Sequence, residues 1–114
     1  MKKINTKEFK EAIYDFEKES DFHNKQDKPI IIDFYADWCG PCKVVAPILE
    51  ELEKEGNFTL YKVDTDEEYD LSNYFNIRSI PTLVFVPLKG QPASHTGAYP
   101  KSEIKKLISK YFTE

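Results

Sequence analysis

The most pronounced hydrophobic segment of the chain lies at residues 30–36, where apolar and aromatic side chains are interrupted only by Asp33. Such a run is typical of a strand that is buried on both faces of a sheet. Apolar positions then recur at helical spacing from Val44 to about Lys54, which indicates an amphipathic helix. The pattern therefore predicts a strand-to-helix turn near residues 37–42.

The rest of the chain alternates between helical and strand patterns. A first helix is predicted to begin at Asn5 or Thr6, with Glu8 completing a capping box, and its apolar face continues to about Lys18. The later predicted elements are a strand at 58–64, a short acidic helix at 67–75, a buried strand at 83–86, an edge strand at 93–96 and a last helix opened by Pro100 or Ser102. The resulting order is α, β, α, β, α, β, β, α, and the helical crossover between the first two strands predicts a parallel pair. At this length we expect residues 1–114 to form one domain.

Charge and hydropathy narrow the possible partners. The chain has 16 Lys and Arg against 20 Asp and Glu, a net charge of −4, which argues against nucleic acid and anionic membrane surfaces. No apolar run approaches membrane-spanning length. Polar residues follow Lys2 and Lys3 where a signal peptide would have its apolar core. We expect a soluble cytoplasmic protein, although export of a form processed before this numbering begins stays open.

The only two cysteines, Cys39 and Cys42, fall in the predicted strand-to-helix turn. Two cysteines this close do not make a disulfide framework, and a zinc site would need two further soft ligands where the chain has only His23 and His95. The unpaired N–H groups of a helix start favour a thiolate, which is the reactive form of cysteine. We therefore predict a redox pair without metal or cofactor.

The residues around this pair resemble the active site of the thioredoxin family, which has the same block Trp38-Cys39-Gly40-Pro41-Cys42-Lys43. Further features agree in order along the chain: Asp33, Pro47, Lys62, Ile80-Pro81-Thr82 and Gly97-Ala98. The resemblance runs from Phe9 to Phe112 and implies an α/β thioredoxin fold, with a central mixed sheet of four to five strands and helices on both faces. The chain departs from the pattern at Tyr35, where a second tryptophan often occurs, in a longer loop at 22–28, and at Pro87. The family's first strand is not visible before Asn5.

The resemblance also implies catalytic roles. Cys39, expected to be the exposed thiol, would attack a protein disulfide, and Cys42 would resolve the mixed disulfide. Asp33 would accept the proton of Cys42, because a buried resolving thiol has a raised pKa and needs a base. Lys62 would pair with Asp33. From the pattern alone, Asp33 could instead reach water at the end of its strand, and Lys62 would more often be a solvated lysine on a strand face.

A docking surface for substrates is implied as well. Pro81 resembles a proline that the family holds in a cis peptide bond, which would leave the Ile80 backbone free to pair with an extended substrate segment. The expected substrate-binding residues are Trp38, Gly40, Pro41, Ile80, Pro81, Gly97 and Ala98.

Three functions fit this pattern. The first is a monomeric protein-disulfide reductase that acts on disulfide-containing proteins and is recharged by a thioredoxin reductase; the Gly-Pro dipeptide between the cysteines favours it. The second is an exported thioredoxin-like disulfide isomerase or oxidase. The third is a binding subunit that keeps the fold but does not use its thiols.

Overall fold

A computed structural model describes residues 1–113 of the chain. Its sheet has five strands: β1 (Lys2–Lys3), β2 (Ile30–Tyr35), β3 (Thr59–Asp64), β4 (Thr82–Val86) and β5 (Ala93–Thr96). The strand order is β1-β3-β2-β4-β5, with β1, β3 and β2 parallel and with β4 antiparallel to both β2 and β5. The sheet is therefore mixed, which confirms the predicted fold class, and the hydrophobic run at 30–36 supplies its central strand.

Helices cover both faces of the sheet. They are α1 (Thr6–Ala12), α2 (Gly40–Glu55), α3 (Tyr69–Tyr74) and α4 (Lys101–Phe112). Phe9 of α1 and Leu71 of α3 pack in one buried cluster, whereas Val45 of α2 and Ile104 of α4 pack in another. Neighbouring side chains of a strand point to opposite faces, so each central strand contributes to both clusters.

The N-terminal strand corrects the predicted element order, which begins with a helix. Lys2 and Lys3 form β1 and pair with Tyr61 and Lys62 of β3. Two exposed lysines have no strand-like hydrophobic pattern, so local sequence could not predict this element. The open edge of β3 supplies the pairing, and lysines are typical of protected sheet edges.

The first helix begins as predicted and ends earlier. Asn5 is its N-cap and forms the complete capping box with Glu8. The helix stops at Ala12 instead of near Lys18, since the Ile13 carbonyl accepts a hydrogen bond from the Lys25 N–H (3.0 Å). The apolar side chains beyond Ala12 therefore reach the core from a loop.

The third helix is shorter than its predicted range of 67–75, and Tyr74 at its end lies partly in solvent (38% exposed). The second and fourth helices match their predictions, with Gly56 as the C-cap of α2 and Pro100 as the N-cap of α4. Within residues 1–113 no helix has the length and apolar character to cross a membrane.

Candidate active site

The two cysteines lie where β2 leads into α2, and they are joined by a disulfide with a Cα–Cα distance of 5.3 Å. Cys39 is the N-cap of α2, and its Sγ accepts a hydrogen bond from the Cys42 N–H (3.2 Å). Pro41 lies in the first turn, where the absence of an N–H has no consequence for helix hydrogen bonding. The start of a sixteen-residue helix therefore directs an amide and the positive end of its dipole at Cys39.

The exposed fractions of the two cysteines do not differ as expected. Cys39 is 4% exposed and Cys42 is 3% exposed, so the expectation that Cys39 is the exposed thiol is wrong for this disulfide form. The pair packs with Ala36, and Ile80 lies against the same cluster. The hydrogen bond from the helix start, and not solvent exposure, distinguishes Cys39 from Cys42.

Asp33 lies in the middle of β2 and is 1% exposed. Its Oδ1 has no hydrogen-bond partner among the described residues. Burial raises the pKa of this carboxyl to about 7, and the nearby Lys62 charge offsets only part of the rise. Asp33 and Cys42 line the same cavity of about 160 Å³, so the carboxyl lies on the same side of the sheet as the inner cysteine.

Lys62 is the register neighbour of Asp33 on β3. It nevertheless forms no ion pair with a carboxylate in the described part of the chain. Its Nζ lies instead 5.3 Å from the centre of the Tyr35 ring. The structure thus brings Lys62 next to Asp33 through strand pairing but does not place its ammonium within ion-pair distance of the Asp33 carboxyl.

The Ile80-Pro81 peptide bond is cis, which confirms that prediction. The N–H and C=O of Ile80 have no hydrogen-bond partner within residues 1–113. Gly97 donates its N–H to the Pro81 carbonyl (2.9 Å) and has a φ of +127°, a backbone conformation that favours glycine. The loop before β4 and the end of β5 are therefore joined beside the cysteine pair.

Trp38 is 71% exposed, and its Nε1–H donates a hydrogen bond to Asp66 Oδ2 (2.9 Å). Asp66 was not among the predicted site residues. Its signal was its place just after the end of β3, since the C-terminal ends of the parallel strands β2 and β3 meet at one edge of the sheet. Gly40 and Pro41 are exposed, and a Cβ on Gly40 would have no neighbour within 4 Å, so this side of the pair is open to a partner.

Comparison with known proteins agrees with this arrangement. Residues 1–110 match the family model described as Thioredoxin. The chain is 37% identical over 111 residues to the thioredoxin of Borreliella burgdorferi, an alignment that covers 96% of this chain and 95% of the relative. It is 42% identical over 95 residues to the chloroplastic thioredoxin M-type of Spinacia oleracea, covering 82% of this chain and only 52% of that longer protein.

Two solved structures have the same fold. A crystal structure of chloroplastic thioredoxin z superposes with a TM-score of 0.81 at 30% identity, covering 97% of this chain and 93% of the other. A mutant thioredoxin from Halobacterium salinarum gives a TM-score of 0.80 at 27% identity, covering 99% and 91%. Together with the cysteine pair at the start of α2, these matches establish that the chain belongs to the thioredoxin family and is a thioredoxin-type dithiol-disulfide oxidoreductase.

Proposed function

We propose that this protein reduces disulfides in other proteins, with Cys39 as the attacking sulfur and Cys42 as the resolving sulfur. The observation that carries the proposal is the hydrogen bond from the Cys42 N–H to Cys39 Sγ. Only a thiolate attacks a disulfide efficiently, and an N–H aimed at sulfur from a helix start stabilises that thiolate. Cys42, inside the first turn, lacks this position.

The electrons and protons balance over two exchange steps. The Cys39 thiolate attacks one sulfur of the substrate disulfide, and the other sulfur leaves as a thiolate and takes a proton. Cys42 then loses its proton and attacks Cys39 Sγ, which expels the second substrate sulfur as a thiolate that also takes a proton. The substrate gains two electrons and two protons, and the protein is left with the Cys39–Cys42 disulfide of this structure.

Asp33 is proposed as the group that takes the proton from Cys42. It shares a cavity with Cys42, and its pKa of about 7 suits both acceptance and release of a proton near neutral pH. Lys62 contributes a positive charge that favours the ionised carboxyl. The Asp33 carboxyl does not have to contact Cys42 Sγ directly, because a cavity of this size has room for a water molecule that bridges the two groups.

Substrates are proposed to bind on the surface around Cys39. The free main-chain groups of Ile80 suit pairing with an extended segment, as in strand addition to a sheet. The exposed ring of Trp38 supplies apolar contact area. The remaining members of this proposed surface are Gly40, Pro41, Pro81, Gly97 and Ala98.

We further propose that residues 1–114 act as one domain and as a monomer, in the cytoplasm, with a thioredoxin reductase as electron donor and without nucleic acid or membrane as partner. The acidic balance of the chain supports the last two points. The Gly-Pro dipeptide supports a reducing role.

Insulin reduction tests the proposal, measured with a reductase and NADPH on the native protein and on its two single-cysteine variants. We expect Cys39→Ser and Cys42→Ser both to abolish turnover, and only Cys42→Ser to accumulate a mixed disulfide with the substrate. Equal trapping by both variants would contradict the assigned roles. A potential above roughly −200 mV would favour an isomerase or oxidase, and partner complexes that survive replacement of both cysteines would favour a binding subunit.

A further inference from the structure

Tyr35 is a half-buried neighbour of the proposed base on β2. It follows Asp33 by two residues on β2, so both side chains point to the same face of the sheet. The register partner of Asp33 is Lys62, and the ammonium of Lys62 lies 5.3 Å from the centre of the Tyr35 ring. All three residues line the cavity that also contains Cys42.

The ammonium of Lys62 has two alternative attractive sites within this cavity. One is the face of the Tyr35 ring, where it lies. The other is the Asp33 carboxyl, whose Oδ1 has no hydrogen-bond partner among residues 1–113. A direct ion pair with a buried carboxylate would stabilise its charged form strongly, whereas a charge held farther away acts more weakly. The position of one flexible side chain therefore controls the proton affinity of Asp33.

We propose that Tyr35 is a positioning residue for the acid-base group: its ring holds the Lys62 ammonium over itself and so keeps Lys62 from pairing directly with the Asp33 carboxyl. This inference rests on the proposed function only for the role of Asp33 as the base; the position of Lys62 over the Tyr35 ring does not depend on it. A base that must accept a proton from Cys42 and release it again works best when its pKa lies near the working pH. Direct pairing would move Asp33 away from that range.

Other charged groups also lie near this region. Lys3 of β1, Asp64 of β3, Glu67 and Asp37 act on Tyr35 through their charges, and Asp37 and Lys43 line the cavity together with Met1. Lys3 is already paired with Glu67 (Nζ–Oε1 2.6 Å). Among the charges in this region, that of Lys62 lowers the pKa of Asp33 and so opposes part of the rise that burial causes.

The test is a double-mutant cycle on the oxidised full-length protein labelled with ¹³Cγ aspartate. The Asp33 carboxyl is titrated by NMR in the native protein and in Tyr35→Phe, Tyr35→Leu, Lys62→Met and Tyr35→Leu/Lys62→Met. Tyr35→Phe keeps the ring and should leave the pKa of Asp33 unchanged. Tyr35→Leu releases Lys62 and should lower that pKa by about half a unit or more, which is at least roughly a threefold change in the ionisation constant.

The Lys62→Met background identifies the cause. Without the ammonium, Tyr35→Leu should not lower the pKa of Asp33. An equal fall in both backgrounds would mean that the ring acts only by excluding water, and an equal fall in Tyr35→Phe would mean that the hydroxyl matters and the ring does not. Either result overturns the inference.

A kinetic measurement separates this inference from the proposed function. The rate at which a mixed disulfide on Cys39 is resolved by Cys42 is followed against pH, and its midpoint should fall in Tyr35→Leu and be retained in Tyr35→Phe. If Asp33→Asn leaves the resolution rate unchanged, Asp33 is not the base and the proposed proton transfer fails. The NMR titrations would still decide whether Tyr35 positions Lys62.

Discussion

Asp33 and Cys42 line one cavity although one comes from the centre of a strand and the other from the first turn of a helix. The carboxyl is almost completely buried and has an oxygen without a hydrogen-bond partner in residues 1–113. An unpaired ionised group in such a position destabilises the fold. We infer that the protein retains this carboxyl because the thiol chemistry needs it. Its effect on the free energy of unfolding is measurable.

Replacing Asp33 should stabilise the protein in a pH-dependent way. Burial raises the pKa of Asp33 from an unfolded value of 3.8 to about 7, so the folded state holds a proton that the unfolded state releases between those values. Stability is therefore lost as pH rises from about 4 to about 7. At pH 8 we expect Asp33→Asn to raise the free energy of unfolding by up to about 4 kcal/mol, with little difference near pH 3.5.

Urea denaturation of the oxidised proteins at several pH values measures this effect. The exposed Asp37→Asn is a matched control, since it removes a carboxyl four residues away that is itself exposed to solvent, and it should change stability by less than about 0.5 kcal/mol at every pH. A gain in Asp33→Asn that is the same at pH 3.5 and pH 8 would show that the carboxyl is not protonated in the fold as described.

Removing Asp66 should weaken substrate binding more than turnover. The Asp66 carboxylate holds the exposed Trp38 indole in one orientation through the 2.9 Å hydrogen bond. Without it, Trp38 must be ordered when a substrate binds, so Asp66→Ala should raise KM roughly two- to tenfold with a smaller change in kcat. Trp38 is the only tryptophan, so its fluorescence reports the released ring directly.

Asp70→Ala is the control for this variant, because Asp70 is an exposed acid of the same segment that makes no hydrogen bond to a side chain in the described structure. It should leave both KM and the emission spectrum unchanged. If Asp66→Ala and Asp70→Ala raise KM equally, the effect comes from the loss of acidic charge and not from Trp38.

Two glycines of the proposed docking surface should respond to alanine in opposite ways. Gly97 has a φ of +127°, which alanine adopts only with strain, so Gly97→Ala should destabilise the protein by about 1–3 kcal/mol. Gly40 lies in the first turn of α2 with open space around it, and Gly40→Ala should be neutral or stabilise by up to about 1 kcal/mol. Thermal or urea unfolding of both variants checks the sign, and a stabilised Gly97→Ala protein would contradict the backbone geometry at β5.

The capping box of α1 should contribute measurably to stability. Asn5 Oδ1 accepts the Glu8 N–H (2.7 Å), and Glu8 Oε1 accepts the Asn5 N–H (3.0 Å). Asn5→Ala should lower the free energy of unfolding by about 0.5–2 kcal/mol. Lys7→Ala, which changes an exposed residue of the same turn, should stay within about 0.5 kcal/mol. Equal losses in the two variants would mean that the cap is not formed in solution.

Several features of the fold follow from interactions that a local pattern does not contain. The two-residue strand β1 exists because β3 offers it an open edge, and Lys2 and Lys3 themselves have no strand pattern. In the loop at 22–28, Asn24 is only 7% exposed, and its Nδ2 donates to the carbonyls of Lys28 (3.1 Å) and Pro87 (3.3 Å). Pro87 is distant in sequence, so no local signal predicts this contact.

The active site likewise has features that local sequence predicts and features that only the tertiary structure determines. The residue types and spacing around Cys39 and Cys42 were enough to predict a redox pair, because a helix start and a short sequence separation are local properties. Three other features of the site depend on residues from different elements, which a local pattern does not contain. They are the hydrogen bond between Trp38 and Asp66, the burial of Cys39 in the disulfide form, and the position of Lys62 over Tyr35.

The linear order of apolar, polar and turn residues was thus sufficient for the βαβ core, the helix start at Cys39 and the cis proline carried by the family resemblance, since each depends on a short segment or a matched motif. Other features depend on which groups packing brings together. These are the pairing of β1 with β3, the early end of α1, and the position of the Lys62 ammonium over the Tyr35 ring instead of beside the Asp33 carboxyl. Proton affinity and side-chain contact follow distance and burial, and these exist only once the sheet and its helices have assembled.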